Sequence, residues 1–204
     1  MHTMRLGFLA VVVFVTSARA QNPAQAPPCS APEYRQLDFW VGDWELEFTK
    51  PDGSIGKASN RITKNEYGDC VISEHFVLPG GAGGRDYIGG SYSMYDAQTK
   101  SWRQLWVDNG GSMFDLRGGP VTGQKHVFEL VNIEPRGPNH ATMRMIWEQV
   151  TPNSLTWRWQ SQGTDGTWTD RWVLRYKRKI TDAEALDGED VVPGFLLPLA
   201  DLFS

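Results

Sequence analysis

Hydrophobic and polar side chains alternate along most of this chain with a period of two. In residues 38–49, Trp40, Trp44, Leu46 and Phe48 hold one phase while Asp43, Glu45 and Glu47 hold the other. Successive side chains of an extended chain point to opposite faces, so this segment reads as a strand with one buried and one wet face. Similar runs, bounded by Gly, Pro, Asn and Asp, predict further strands over 55–65, 70–78, 91–96, 101–109, 112–117, 125–134, 141–150, 154–163 and 167–178. About ten antiparallel strands joined by short turns, with no βαβ units, predict an all-β fold, a single up-and-down barrel. Thr181-Asp182-Ala183-Glu184 is a capping box with Gly188 placed to end the element, so a short C-terminal helix is expected.

The nine tryptophans follow the same phase. Trp40 and Trp44, Trp102 and Trp106, Trp157 and Trp159, and Trp168 and Trp172 are separated by even intervals, and Trp147 continues the alternation of Met143 and Met145. Each of these segments presents its indoles on one face. A sheet with that much aromatic surface on one side must cover it, and closure around that side also removes the edges.

Outside the strands, Arg5, the apolar run 6–15 and Ala18-Arg19-Ala20 form the three regions of a signal peptide over residues 1–20. Cleavage is expected before Gln21, giving an exported product, periplasmic or secreted. The run is too short for a transmembrane helix, and no lipobox precedes Cys29. Losing Arg5 and Arg19 from 20 basic residues, against 24 acidic ones, leaves a net charge of −6. No basic cluster marks any segment, so nucleic acid is not an expected partner. Residues 21–33 read as a proline-containing, disordered leader, 34–179 as the barrel, and 180–204 as the helix and an apolar tail. Pro193, Gly194 and Pro198 interrupt that tail, which suits packing over a barrel mouth or the outer wall better than crossing a membrane. An oxidising compartment allows a Cys29–Cys70 disulfide, two separate thiols being the alternative. Neither cysteine has CxxC or HxxxH company, so no metal is expected.

Phe39-Trp40-Val41-Gly42-Asp43-Trp44 contains the G-x-W pattern that opens lipocalin-like (calycin) barrels. Together with C-x-x-x-E at Cys70 and Glu74, Tyr95-Asp96, W-x-Q-x-W-x-D from Trp102 to Asp108, D-G-x-x-W from Asp165 to Trp168, and Y-x-R at Tyr176 and Arg178, the chain resembles a family of exported bacterial proteins of unassigned function with that barrel. The resemblance covers residues 34–178 and implies the fold, with no activity to carry over. It also implies that Trp44 packs across the barrel end beneath an arginine, Arg178 or Arg175, and the phase of Trp172 and Tyr176 favours Arg178. The haem-binding nitrobindin barrels open with a related G-x-W but require an axial histidine. His75 is out of phase with Glu74, His126 opens a strand and His140 lies in a turn, so no cofactor is expected.

With the even positions of the first strand inward, the interior collects Cys70, Ile72, Glu74, Phe76 and Leu78, then Trp102, Gln104, Trp106 and Asp108. Met143, Met145 and Trp147 follow from the eighth strand, and Trp168, Asp170, Trp172, Leu174 and Tyr176 from the last. Asp108 stands beside Gly110-Gly111 and reads as a turn shaper. An apolar lining with a few polar groups is the usual composition of a small-molecule site. The candidate ligand residues are therefore Glu74, Tyr95, Trp102, Gln104, Trp106, Trp147, Trp157, Trp159 and Trp172, for a small apolar, aromatic or sugar-like ligand. The rival readings are a lyase-, isomerase- or hydrolase-type enzyme using buried Glu74 and Asp170 as acid and base, and a solid-cored structural or partner-binding barrel. No nucleophile elbow, H-E-x-x-H or P-loop occurs. The glycine-rich stretch 80–84 joins two strands and suits a lid at a barrel mouth. Oligomeric state is open.

Overall fold

The computed structural model describes residues 27–64, 67–124, 127–132 and 141–179, and the backbone of Leu186–Asp187 and Leu196–Leu197. Ten antiparallel strands close into a barrel. They are β1 (Gly42–Thr49), β2 (Ile55–Thr63), β3 (Val71–Leu78), β4 (Tyr87–Asp96), β5 (Ser101–Asp108), β6 (Met113–Pro120), β7 (Phe128–Asn132), β8 (Met143–Glu148), β9 (Ser154–Gln162) and β10 (Trp168–Arg178). Each strand pairs with its sequence neighbours, and β1 closes on β10 through Trp44 opposite Arg178 and Leu46 opposite Tyr176. No helix among the described residues is long and apolar enough to cross a membrane.

The first strand starts later than its alternation implies. Asp38–Trp40 forms a 3-10 turn rather than strand, and Pro32–Arg35 forms another before it. These turns lie across the end of the barrel where β1 begins and β10 finishes. Leu37 and Trp40 are buried there, with the Trp40 and Trp147 rings edge to face at 5.2 Å. The described part of the expected disordered leader is thus tied down, and Cys29 forms a disulfide with Cys70. Residues 1–26, which contain the expected signal peptide, lie outside the described residues. Of the expected C-terminal helix, 181–185 also lie outside them, while Leu186–Asp187 is extended and pairs antiparallel with Leu196–Leu197.

Trp44, Leu46 and Phe48 point inward as their phase requires, joined by Ile62, Ile72, Phe76, Trp102, Leu116, Leu130, Trp147 and Leu174. An indole burying 150–250 Å² at roughly 25 cal/mol/Å² contributes about 4–6 kcal/mol before entropy is charged against it. Each buried interior tryptophan is therefore a large contribution to holding the barrel shut.

One strand breaks its phase. Asp170 pairs with Gln160, but two residues later Trp172 pairs with Trp159, so a β-bulge at Arg171 inserts an extra residue into β10. Beyond the bulge the faces are exchanged. Trp168 and Asp170 therefore lie on the outer wall, where the Arg144 guanidinium carbon sits 4.0 Å from the Trp168 ring centroid. The expectation that both point inward with Trp172 is corrected by that single residue.

Candidate functional site

At the end of the barrel opposite the N-terminal turns, the interior is not filled. A cavity of about 80 Å³ remains there. Phe76, Trp157, Leu174 and Tyr176 form its buried walls, with Trp40 and Met145 also reaching it from the sealed side. Trp106, Trp159, Trp172, Tyr87 and Phe114 are half-buried around its mouth. An enclosed apolar cavity of about 150 Å³ holds a benzene, and roughly 10–15 Å³ admits one water. The enclosed part here thus has room for several waters or one small chemical group, with more space toward the mouth.

The mouth rings are positioned by their neighbours. Trp157 and Trp159 are stacked with planes 4° apart and centroids at 6.4 Å. Trp172 meets Trp157 edge to face at 6.2 Å and Phe76 at 5.7 Å. The Trp106 indole lies over Gly89 of the adjacent strand, where a Cβ would overlap it. Its Nε1 donates to Asp108 Oδ2 at 3.0 Å, and Tyr87 Oη donates to the same oxygen at 2.8 Å. Asp108 Oδ1 accepts from the Gly110 and Ser112 amides at 2.9 and 3.1 Å. Asp108 is thus the turn shaper its position implies, and it also orients two rings. Burial raises its carboxyl, but hydrogen bonds from Trp106, Ser112, Tyr87 and Gly110 outweigh that and hold it below its ordinary range. The glycine-rich loop after β3, with a 3-10 turn at Ala82–Gly84, lies at this same end.

Glu74 is the one carboxylate among the residues lining the cavity. Asn60 Nδ2 donates to its Oε1 at 2.7 Å and Ser91 Oγ donates to its Oε2 at 2.5 Å. Asn60 Nδ2 also lies 3.0 Å from Tyr176 Oη, which accepts from it. Burial pushes the Glu74 carboxyl up to about 7, and the bonds from Ser91 and Asn60 offset only part of that cost. Burial, and then the nearby Glu74 charge, also raise the Tyr176 hydroxyl well above its usual value. Asn60 Oδ1 and Trp40 Nε1 are buried with no hydrogen-bond partner.

Five of the nine candidate ligand residues come together here: Glu74, Trp106, Trp157, Trp159 and Trp172. The other four do not line this cavity. Tyr95 packs edge to face on Tyr34 at 5.3 Å, toward the sealed end. Trp102 is buried and donates from Nε1 to Gln36 Oε1 at 3.0 Å. Gln104 is buried against Ser93, to whose Oγ its Nε2 donates at 2.9 Å. Trp147 is fully buried against Trp40 and Phe128. Even spacing assigns a face but not a height along the barrel axis, and height separates these two groups.

Asp170 is not paired with Glu74. It accepts from Arg158 Nη1 at 2.5 Å and Gln160 Nε2 at 2.8 Å on the outer wall, so the expected interior acid–base couple does not form. Asn60, Ser91 and Tyr87 were not among the candidates. Asn60 alternates with Ala58 and Ile62, and Ser91 with Gly89 and Ser93, so period two was the signal that could have found them. His75 is exposed, as its phase implies, while His126 and His140 lie outside the described residues. Among the described residues no three His, Cys, Asp or Glu side chains converge on a metal position.

The opposite end is closed by Trp44 and Arg178. Trp44 Nε1 donates to the Trp40 carbonyl at 2.8 Å, and the Arg178 guanidinium carbon lies 4.2 Å from the Trp44 ring centroid. Arg178, not Arg175, is the cation over the Trp44 ring.

The crystal structure of Rv2717c from M. tuberculosis is similar in fold, with 14% identity, 74% of this chain and 99% of that chain covered, and a TM-score of 0.50. A redesigned β barrel (10% identity, 72% and 96% covered, TM-score 0.36) and a de novo designed fluorescence-activating β barrel (15%, 70% and 96%, 0.38) are more distant. No curated protein matches the chain. Residues 30–178 match the family described as protein of unknown function (DUF1579), and the chain belongs to that family.

Proposed function

We propose that this protein is an exported binder of a small apolar, aromatic or sugar-like ligand, held in the tryptophan-lined end of the barrel. The observation that carries this reading is the cavity itself. A barrel of ten strands can be packed solid, yet this one leaves about 80 Å³ open among Trp106, Trp157, Trp159 and Trp172, with Glu74 exposed to it. Apolar walls with one or two fixed polar groups are what a small-molecule site needs, the walls for affinity and the polar groups for orientation. Export is supported by the signal-peptide pattern of residues 1–20 and fits the Cys29–Cys70 disulfide.

The test is a titration of tryptophan fluorescence with a panel of fatty acids, phenolics, amines and glycans. At least one class is expected to shift or quench the mouth indoles saturably. A flat response to every class, with no ligand-dependent rise in melting temperature, overturns the reading in favour of a structural barrel.

A further inference from the structure

We infer that the ligand this pocket favours is a small organic cation, an ammonium group on an apolar body, with the charge seated at Glu74 among the surrounding rings. The inference rests on reading the cavity as a ligand site and names the chemical class it takes.

The first argument is an unbalanced charge. On the outer wall the chain pairs carboxylates with arginines: Asp115 with Arg103, Glu129 with Arg144, and Glu148 and Asp170 with Arg158. Inside, among the described residues, no Lys, Arg or His forms an ion pair with Glu74, whose partners are the neutral Asn60 and Ser91. Asp108 at the rim is likewise held by neutral donors, Trp106 and Tyr87. The cavity therefore carries one carboxylate, Glu74, with a second, Asp108, near its rim, and no balancing cation among its lining residues. A buried charge is costly unless paired, so a ligand that brings the missing positive charge gains more than a neutral one of the same shape.

The second argument is hydrogen-bonding capacity. Each Glu74 oxygen accepts one bond in the structure and has a second lone pair free. Of the two unpartnered buried atoms nearby, Asn60 Oδ1 belongs to a residue that does not line the cavity and Trp40 Nε1 is a donor on its sealed side. The acceptor capacity that an ammonium would meet is therefore that of Glu74 itself.

The third is the walls. Aromatic faces carry negative quadrupole potential and attract cations, most strongly for tryptophan and more so when desolvated. Trp106, Trp157, Trp159 and Trp172 surround the same space as Glu74. An anion would meet both the ring faces and the carboxylates with the wrong sign.

Three ligands of one length separate the possibilities: hexylammonium, hexanol and hexanoate, titrated against the full chain at pH 8 by calorimetry and tryptophan fluorescence. Hexylammonium is expected to bind at least tenfold more tightly than hexanol, with hexanoate weakest. Glu74→Gln should remove the hexylammonium advantage, bringing its affinity to within about twofold of that of hexanol for the same variant. Should that variant fail to fold, the wild-type pH profile decides. From pH 8 to 6 hexylammonium should weaken several-fold as Glu74 takes up a proton, hexanol should not change, and hexanoate should tighten.

The other groups facing Glu74 do not titrate in that window. Asn60 on β2 and Ser91 on β4 are neutral, Tyr176 on β10 and Tyr87, also on β4, are raised well above it, and Asp108 stays ionised throughout. Hexanol or hexanoate binding as tightly as hexylammonium overturns the cation assignment and leaves the ligand-site reading standing. No binding by any of the three, together with a flat response to the wider panel, overturns both.

Discussion

The Arg178 guanidinium carbon lies 4.2 Å from the centroid of the Trp44 ring, joining the last strand of the barrel to the first. Its nitrogens also donate to main-chain carbonyls, Nη1 to Val41 at 2.8 Å, Nε to Pro152 at 2.8 Å and Nη2 to Phe39 at 3.4 Å. Gly42, at φ +141°, leaves the room the guanidinium occupies. One side chain thus fastens the N-terminal 3-10 turn, the β8–β9 turn and the closing strand pair.

Arg178→Lys tests whether the fork or the charge is what matters. Lysine keeps the cation but cannot reach three carbonyls in a fixed plane. We expect a loss of about 1–3 kcal/mol in urea unfolding, with the far pocket still binding ligand. A stability within error of wild type would refute the latch.

Glu74 makes stability depend on pH in the direction opposite to a salt-bridged carboxylate. Its folded carboxyl sits at about 7 against an ordinary 4.5, so between those values the folded state holds a proton that the unfolded chain has lost. Stability therefore falls as pH rises from 4.5 to 7 and levels off above. At about 1.4 kcal/mol per tenfold change in protonation, the full cost is at most about 3–4 kcal/mol, reduced by whatever solvent reaches the carboxylate. Urea unfolding of wild type and Glu74→Gln at pH 5, 6, 7 and 8 reads this directly. The wild-type decline should be absent in the variant, and parallel profiles would contradict the assignment.

Cys29→Ser removes a bond that closes a separation of 41 residues. Chain-entropy arguments put its contribution at about 4 kcal/mol, with strain and residual structure lowering that in practice. A loss of roughly 2–4 kcal/mol is expected, and reduction of the wild type should reproduce it. A loss well under 1 kcal/mol would mean that the N-terminal turns hold without the disulfide.

Gly89→Ala places a methyl where the Trp106 indole lies. The ring is expected to shift into the cavity, costing about 1–3 kcal/mol of stability and weakening any ligand by several-fold. Unchanged affinity with unchanged indole emission would show that Trp106 does not bound the site.

Asp170→Asn should leave ligand affinity within about twofold, because the side chain lies outside the barrel on Arg158 and Gln160. Its stability cost should stay below about 1 kcal/mol, as for other partly exposed ion pairs. A large affinity change would place Asp170 inside after all.

How far the pocket could be read from the residues differs strand by strand. Glu74 was legible because it alternates with Ile72 and Phe76, and Trp157, Trp159 and Trp106 because their strands keep a strict period. Trp102 and Trp106 share a face and a strand, yet one is sealed beneath the N-terminal turns and the other stands at the open mouth. Asn60 stands in a strand with no aromatic to mark the inward phase, whereas Ser91 shares the phase of Tyr87 and Tyr95 and was legible from it.

The alternation of side chains determined by itself the strand number, the closed barrel and its aromatic interior, because period two is local and each strand reports its own two faces. Tertiary structure alone decided which tryptophans line a space and which fill one, since that depends on strand stagger and on the end the N-terminal turns cover. It also decided the fate of Asp170, through one extra residue at Arg171 that no periodicity announces. A bulge is a property of two paired strands, so it exists only once the partner strand is in place.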